Sequence, residues 1–264
     1  MCRFVAYLGQ EKILLSRLLE DPANSLIKQS HAAREGLHGV NADGFGVGWY
    51  DLRIDSTPGI FKSIQPAWND SNLKHVCEKI ESNCFLAHVR ASTVGDVAQN
   101  NCHPFYYKEY TMVHNGTIRH FDRLKKRLID TIDEELFLHI KGNTDSECFF
   151  LLIMHFLKRV RSLELAVKEA IHWVVESQES EDSESFSRIN IVITDGKEMV
   201  GTRFASKNKN SLSINYKTFE REGRLESFVL SSEPLDDQGG WVLIPEKSYI
   251  HIDSFMHFKV CPIL

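Results

Sequence analysis

The chain is short of basic charge. Lys and Arg number 31 against 36 Asp and Glu, leaving a formal net charge of −5 over 264 residues. That balance provides no electrostatic footprint for nucleic acid or for an anionic membrane surface. The densest basic cluster, Arg123-Leu-Lys-Lys-Arg127, follows Phe121 and runs into Leu128 and Ile129. It reads as the solvated face of an amphipathic helix. Long apolar runs are missing as well. The most apolar stretch, Phe149-Phe-Leu-Leu-Ile-Met-His-Phe-Leu157, is far too short to span a bilayer. Cysteine is sparse: Cys2, Cys77, Cys84, Cys102, Cys148 and Cys261 include no C-x-x-C pair, which argues against a zinc knuckle. No charged n-region leads into an apolar h-region, so no secretory signal is expected, and the cysteines read as reduced thiols of a cytoplasmic protein. There is no internal repeat and no Pro/Gly-rich linker. With 42% hydrophobic residues, the chain suits one domain with ample core.

The remaining pattern is mixed. Period-two alternation and β-branched runs predict strands over residues 1–8, 84–89, 110–113, 188–194, 198–204, 211–216, 227–231, 240–244 and 249–252, and residues 41–50 read as a Gly-rich turn feeding a strand. Apolar residues at helical spacing predict helices over 13–19, 121–132, 145–160 and 163–176. Residues 176–187, Glu-Ser-Gln-Glu-Ser-Glu-Asp-Ser-Glu-Ser-Phe-Ser, are acidic, Ser-rich and nearly devoid of apolar side chains, and read as a mobile surface loop. Strands cluster at both ends of the chain, which argues for an α+β fold with antiparallel sheets over an alternating βαβ wrap.

Five segments carry chemistry. Cys2 stands directly behind Met1. Removal of Met1 would put a thiol and a free α-amine on one residue, a nucleophile with its own base. The α-amine's reference pKa of about 7.7–8.0 leaves an appreciable neutral fraction near physiological pH. Asn41-Ala-Asp-Gly-Phe-Gly-Val-Gly48 superficially resembles a phosphate loop, yet it feeds a Trp-Tyr strand and its glycine spacing is wrong for a dinucleotide site. Tight turning and close backbone packing explain it better. Ala87-His-Val-Arg-Ala-Ser-Thr-Val-Gly95 offers Arg90 as a planar fork for a carboxylate. Asn101-Cys-His-Pro-Phe105 precedes His114-Asn115-Gly116, where an amide beside a glycine N–H is the donor pair an oxyanion hole needs. Gly142-Asn-Thr-Asp-Ser-Glu147 opens an apolar helix; Thr144 or Asp145 caps it, or Asp145 binds an ammonium. Taken singly, each has an ordinary structural explanation: a buried thiol, a surface salt bridge, an Asn-Gly turn. His88, His103 and His114 read as packing residues, because none shows metal-ligand spacing.

Together these strings resemble the class II glutamine amidotransferases, and most closely the small stand-alone branch of that family. The likeness is specific over residues 2–150 and looser beyond, where it rests on Ser232-Glu-Pro234 and Trp241. It implies one glutamine amidotransferase type-2 domain over residues 2–264, in the four-layer αββα sandwich of the N-terminal nucleophile hydrolases with two mainly antiparallel sheets. It implies Cys2 as nucleophile after loss of Met1, Asn115 and Gly116 as oxyanion donors, Arg90 at the substrate carboxylate, Asp145 at its ammonium, and Thr93 as a substrate-binding residue that can hydrogen-bond to the ligand. No metal and no cofactor are expected. The activity implied is glutaminase-type hydrolysis of a γ-glutamyl amide through a Cys2 thioester, releasing ammonia and glutamate. A synthase or peptidase subunit is the partner implied, with no nucleic acid and no membrane. Where larger members carry Trp after the Arg and then Thr-His, this chain has Ala91 and Ser92-Thr93-Val94, so the alternative is a larger thiol- or peptide-derived γ-glutamyl amide. A retained Met1 would instead make the chain a silent binding subunit.

Overall fold

The computed structural model describes residues 2–35, 40–92, 95–181, 186–207 and 209–263. Along them the order is β1 (Arg3–Leu14), α1 (Ser16–Leu19), α2 (Leu26–Ala32), β2 (Phe45–Trp49), β3 (Gly59–Ser63), α3 (Ser71–Cys77), β4 (Glu81–Val89), β5 (Phe105–Tyr107), β6 (Tyr110–Thr117), α4 (Phe121–Thr131), α5 (Glu134–Phe137), α6 (Asp145–Val160), α7 (Leu163–Glu181), β7 (Arg188–Thr194), β8 (Met199–Arg203), β9 (Asn215–Arg221), β10 (Arg224–Ser231), β11 (Val242–Leu243), β12 (Ser248–Ile252) and β13 (Phe258–Pro262). A seven-stranded sheet runs β11-β9-β10-β1-β4-β2-β3 and a six-stranded sheet runs β13-β12-β8-β7-β6-β5. The pairings within both are antiparallel.

Alternation along the strands decides the layering, because successive side chains leave opposite faces. In β1, Phe4, Ala6 and Leu8 meet Val113 of β6, Val192 of β7 and Ile250 of β12, so the two sheets pack face to face. Val5 and Tyr7 point the other way, onto Leu15, Leu19, Leu26 and Leu73 of the first three helices and their approaches. On the second sheet Ile189, Ile191 and Ile193 of β7 face Phe121 and Leu124 of α4, Leu152 of α6 and Ala170 of α7. The result is the four-layer αββα sandwich. Each fully buried Leu, Ile or Phe contributes about 1.5–3 kcal/mol of transfer free energy. Helix α6 is apolar nearly all round, and Cys148 through Met154 are all buried. A helix of that kind belongs inside a protein or a membrane; here α4, α7 and the sheet cover it. No helix among the described residues is long and apolar enough to cross a membrane.

The structure departs from the sequence reading at residues 176–187. Helix α7 continues to Glu181, and residues 182–185 lie outside the described residues. Gln178 is buried at 2% exposure. Its Nε2 donates to Arg119 O at 2.8 Å and to Ser187 Oγ at 2.7 Å. Polar anchors of that kind hold the last turn down without apolar contact, so composition gave no sign of it. Strands β3, β5 and β13 and helices α2, α3 and α5 were also not predicted. They are short or half-exposed, where periodicity is faint.

Candidate active site

Strand β1 begins at Arg3, which pairs with Val89 at the end of β4. Cys2 therefore sits opposite the residues that leave β4. Its Sγ lies 3.3 Å from both Ala91 N and Ala91 O. The glycine-rich turn before β2 fixes that partner. Asp43 N donates to Arg90 O at 3.0 Å, Arg90 N to Gly44 O at 2.8 Å, and Ser92 N to the Asp43 carboxylate at 2.7 Å. Gly44 takes φ +107°, and a Cβ there would stand 2.6 Å from Cys102 Sγ. The turn is a buttress for residues 90–92, as close backbone packing predicted. Burial raises the Cys2 thiol pKa; the Ala91 N–H and the charges of Arg90 and Arg3 oppose that rise. A thiol held protonated needs a base at the moment of attack.

Asn115 and Gly116 arrive on β6, paired with Asn190 and Ile189 of β7. Asn115 is buried at 2% exposure, and its Nδ2 donates to Ser232 Oγ at 3.5 Å. Gly116 admits no side chain: a Cβ would collide with the Arg188 carbonyl oxygen and stand 2.6 Å from His114 Nε2. Cys2, Ala91, Asn115 and Gly116 line one cavity of about 630 Å³, whose wall continues through Ile118, Arg119, Lys125, Phe186 and Arg188. Lys125 comes from the basic cluster read as a solvated face. Arg123, Lys126 and Arg127 are exposed as expected, but Lys125 is half-buried and reaches the wall.

Arg90 and Asp145 do not line that cavity. Arg90, 3% exposed, donates to Asp96 O at 3.0 Å, Ser92 Oγ at 3.1 Å and Gly95 O at 3.4 Å. It ties Ser92, Gly95 and Asp96 together behind Ala91. Asp145, 4% exposed, accepts from Ile118 N at 2.7 Å and from Ser146 N at 2.8 Å. It fixes the chain just past Gly116. Thr144 is the N-cap of α6, its hydroxyl accepting from Glu147 N at 3.2 Å. Thr93 lies outside the described residues.

His88 Nε2 lies 3.3 Å from the His114 carbonyl of the oxyanion strand. His88 and His103 have ring centroids 4.1 Å apart. His114 Nε2 lies 3.1 Å from Arg188 O, so that nitrogen carries the hydrogen, and Nδ1 accepts from Ser146 Oγ at 2.8 Å. Among the described residues no group of His, Cys, Asp or Glu is arranged to hold a metal ion. Burial pushes the His88 pKa down to about 3, the His103 pKa well below its ordinary value, and the His114 pKa down. Between the unfolded value near 6.5 and these depressed values the unfolded chain binds more protons, so stability falls as pH falls. For His88, between its unfolded value and about 3, that slope approaches about 1.4 kcal/mol per pH unit. His251, between Glu164 and Glu198, is raised and opposes them, one group against three. The thermal midpoint is therefore expected to drop steadily from pH 7 to pH 5; a flat or rising midpoint would contradict this assignment.

Sequence reasoning missed the far wall of the cavity. Arg119, Phe186 and Arg188 had no motif to mark them; Arg119 follows Gly116 by three residues, and the pairing of β6 with β7 brings Phe186 and Arg188 to it. Arg119, Arg188 and Lys209 surround the Phe186 ring at 5.9, 5.1 and 5.7 Å.

Comparison with known proteins agrees with this architecture. The family profile described as glutamine amidotransferases class-II matches residues 14–216. The chain is 35% identical to the probable glutamine amidotransferase DUG3 of Saccharomyces cerevisiae, over 96% of this chain and 82% of that one. It is 28% identical to the gamma-glutamyl-hercynylcysteine sulfoxide hydrolase of Mycolicibacterium smegmatis, over 100% of both chains. A solved structure of a glutamine aminotransferase class-II domain protein from Silicibacter pomeroyi superposes with a TM-score of 0.73 at 25% identity, covering 100% of each chain. The glutamine phosphoribosylpyrophosphate amidotransferase of Bacillus subtilis shares the fold, with a TM-score of 0.66 at 14% identity over all of this chain and 49% of that one. The chain belongs to the class II glutamine amidotransferases, enzymes built on the N-terminal nucleophile fold.

Proposed function

We propose that the protein hydrolyses a γ-glutamyl amide through a thioester on Cys2, with Met1 removed. The observation that carries this reading is the convergence of Cys2, Asn115 and Gly116 on one cavity. The Cys2 thiol adds to the γ-carbonyl carbon and passes its proton to the residue's own α-amine. Asn115 Nδ2 and the Gly116 N–H receive the charge that develops on the carbonyl oxygen. The C–N bond then breaks, and the leaving amine takes the proton back. Water, with the amine again as base, resolves the thioester to glutamate. Arg90 receives the α-carboxylate and Asp145 the α-ammonium, an assignment supported by the motif match, and Thr93 hydrogen-bonds to the ligand. The neighbours of Arg90 and Asp145, Ala91 and Ile118, stand on the wall, so engagement requires Arg90 to exchange its bonds to Ser92, Gly95 and Asp96.

The space beyond Gly116 favours an amine larger than ammonia. A cavity of about 630 Å³ is of the size that engulfs a drug-sized ligand. Arg119, Lys125 and Arg188 on its wall suit a leaving group that bears a carboxylate. The relative named as a hydrolase of gamma-glutamyl-hercynylcysteine sulfoxide supports a γ-glutamyl compound over free glutamine. A cytoplasmic location and a peptidase partner that consumes the released amine fit the same reading.

Glutamate release from glutamine and from a panel of γ-glutamyl amides tests the substrate class. Faster cleavage of γ-glutamyl amides whose amine carries a carboxylate is the expected result. Equal or faster turnover of glutamine would reject the larger substrate and leave a glutaminase.

A further inference from the structure

Removal of Met1, on which the thioester reading rests, makes Cys2 a terminal residue with no peptide bond on its N side. One backbone torsion, ψ, then sets where its α-amine and its Cβ–Sγ arm stand relative to the strand. The carbonyl is the handle on that torsion, and Arg3 grips it: Nη1 donates to Cys2 O at 2.9 Å. Arg3 is itself 3% exposed, and its Nε donates to Glu233 Oε1 at 2.5 Å. Its Nη2 donates to Glu35 O. Glu233, 1% exposed, is aimed in turn by Arg34 N at 2.9 Å and Glu35 N at 3.0 Å. Next to it, Ser232 Oγ accepts from Phe4 N at 3.0 Å and from Asn115 Nδ2 at 3.5 Å. One short segment after β10 thus touches both the nucleophile's strand and the oxyanion amide. A buried ion pair is weak support for stability, since desolvation offsets its attraction. A fork that holds two directions at once is well suited to orientation.

We propose that Glu233 and Ser232 are positioning residues for this reaction. Glu233 aims Arg3 at the Cys2 carbonyl and so fixes amine and thiol together. Ser232 ties Phe4 N to Asn115 Nδ2 and so sets the distance between nucleophile and oxyanion donor. Neither residue touches the reacting atoms.

Glu233→Gln keeps size and an acceptor oxygen but removes the charge. It is expected to lower kcat on the order of 10–100-fold through loss of orientation, with KM within about threefold. The acid limb of the kcat/KM profile should move to lower pH by about half a unit, because the unpaired guanidinium favours the neutral amine. Ser232→Ala is expected to lower kcat by about three- to tenfold at unchanged KM. Arg3→Lys, which keeps the charge and loses the fork, decides the matter if Glu233→Gln does not fold, and is expected to lose kcat to a similar extent. Intact mass confirms loss of Met1 in each variant. A folded, Met1-free Glu233→Gln enzyme with wild-type kcat and an unmoved acid limb overturns the proposal and leaves the thioester reading standing. So does an Arg3→Lys enzyme with wild-type kcat, and so does a rate loss with a fixed limb and a raised KM, which a structural role alone produces. A wild-type protein that is inert and unlabelled at Cys2 overturns the thioester reading itself.

Discussion

Cys2→Ala is expected to reduce γ-glutamyl hydrolysis on the order of 10⁴-fold or more, the scale seen when a covalent nucleophile is removed, and to abolish capture by a γ-glutamyl electrophile. Alanine keeps the strand start intact: β1 begins at Arg3, the Cys2 side chain meets Ala91 through Sγ, and the backbone carbonyl held by Arg3 is unchanged by the substitution. The loss should therefore appear in kcat with little change in stability. The same experiment reads the processing of Met1. A first residue acylated by Met1 has no free α-amine, and burial holds the thiol pKa up. Without the amine nothing at that residue takes the proton during attack. Intact mass is expected to show the chain without Met1, and the adduct to sit on Cys2. A chain that retains Met1, takes no label and turns nothing over would make the protein a silent subunit on this fold.

Removal of the oxyanion donors has the second largest expected effect. Asn115→Ala should lower kcat on the order of 10²–10³-fold with KM little changed, because the donor acts on charge that exists only in the transition state. Asn115 is buried and its amide is already pre-set against Ser232 Oγ, so the group is organised before substrate arrives. Gly116→Ala should be as damaging for a different reason. Its Cβ would collide with the Arg188 carbonyl, so β6 and β7 must part at the residue whose N–H is needed. The two variants separate on heating: Asn115→Ala is expected to hold its thermal midpoint within a few degrees, and Gly116→Ala to lose more. Unchanged kcat in Asn115→Ala would remove that side chain from the oxyanion hole.

Several parts of this protein were legible in the residues themselves. The β-rich runs 1–8 and 188–194 gave strands, because strand propensity and a period of two need no partner to be read; which face met which layer came from the packing. The apolar run 149–157 fell within a helix read over 145–160, too short to span a bilayer; its burial from Cys148 through Met154 is seen in the structure. Cys2, Arg90, Asn115, Gly116 and Asp145 were each marked by a local string, so the candidate chemistry was visible before its geometry. The tertiary structure decided what those strings do together. It set Cys2, Asn115 and Gly116 on one wall, and it left Arg90 and Asp145 behind that wall, bonded to the turns that hold it. It carried α7 through acidic, Ser-rich residues by bonding Gln178 to Arg119 and Ser187. It brought Glu233 and Ser232 against Arg3, Phe4 and Asn115 across more than a hundred residues of chain. Periodicity and motif are properties of neighbours in sequence. A cavity wall, a buried ion pair and a polar anchor join residues that only sheet pairing makes neighbours, and no local pattern records them.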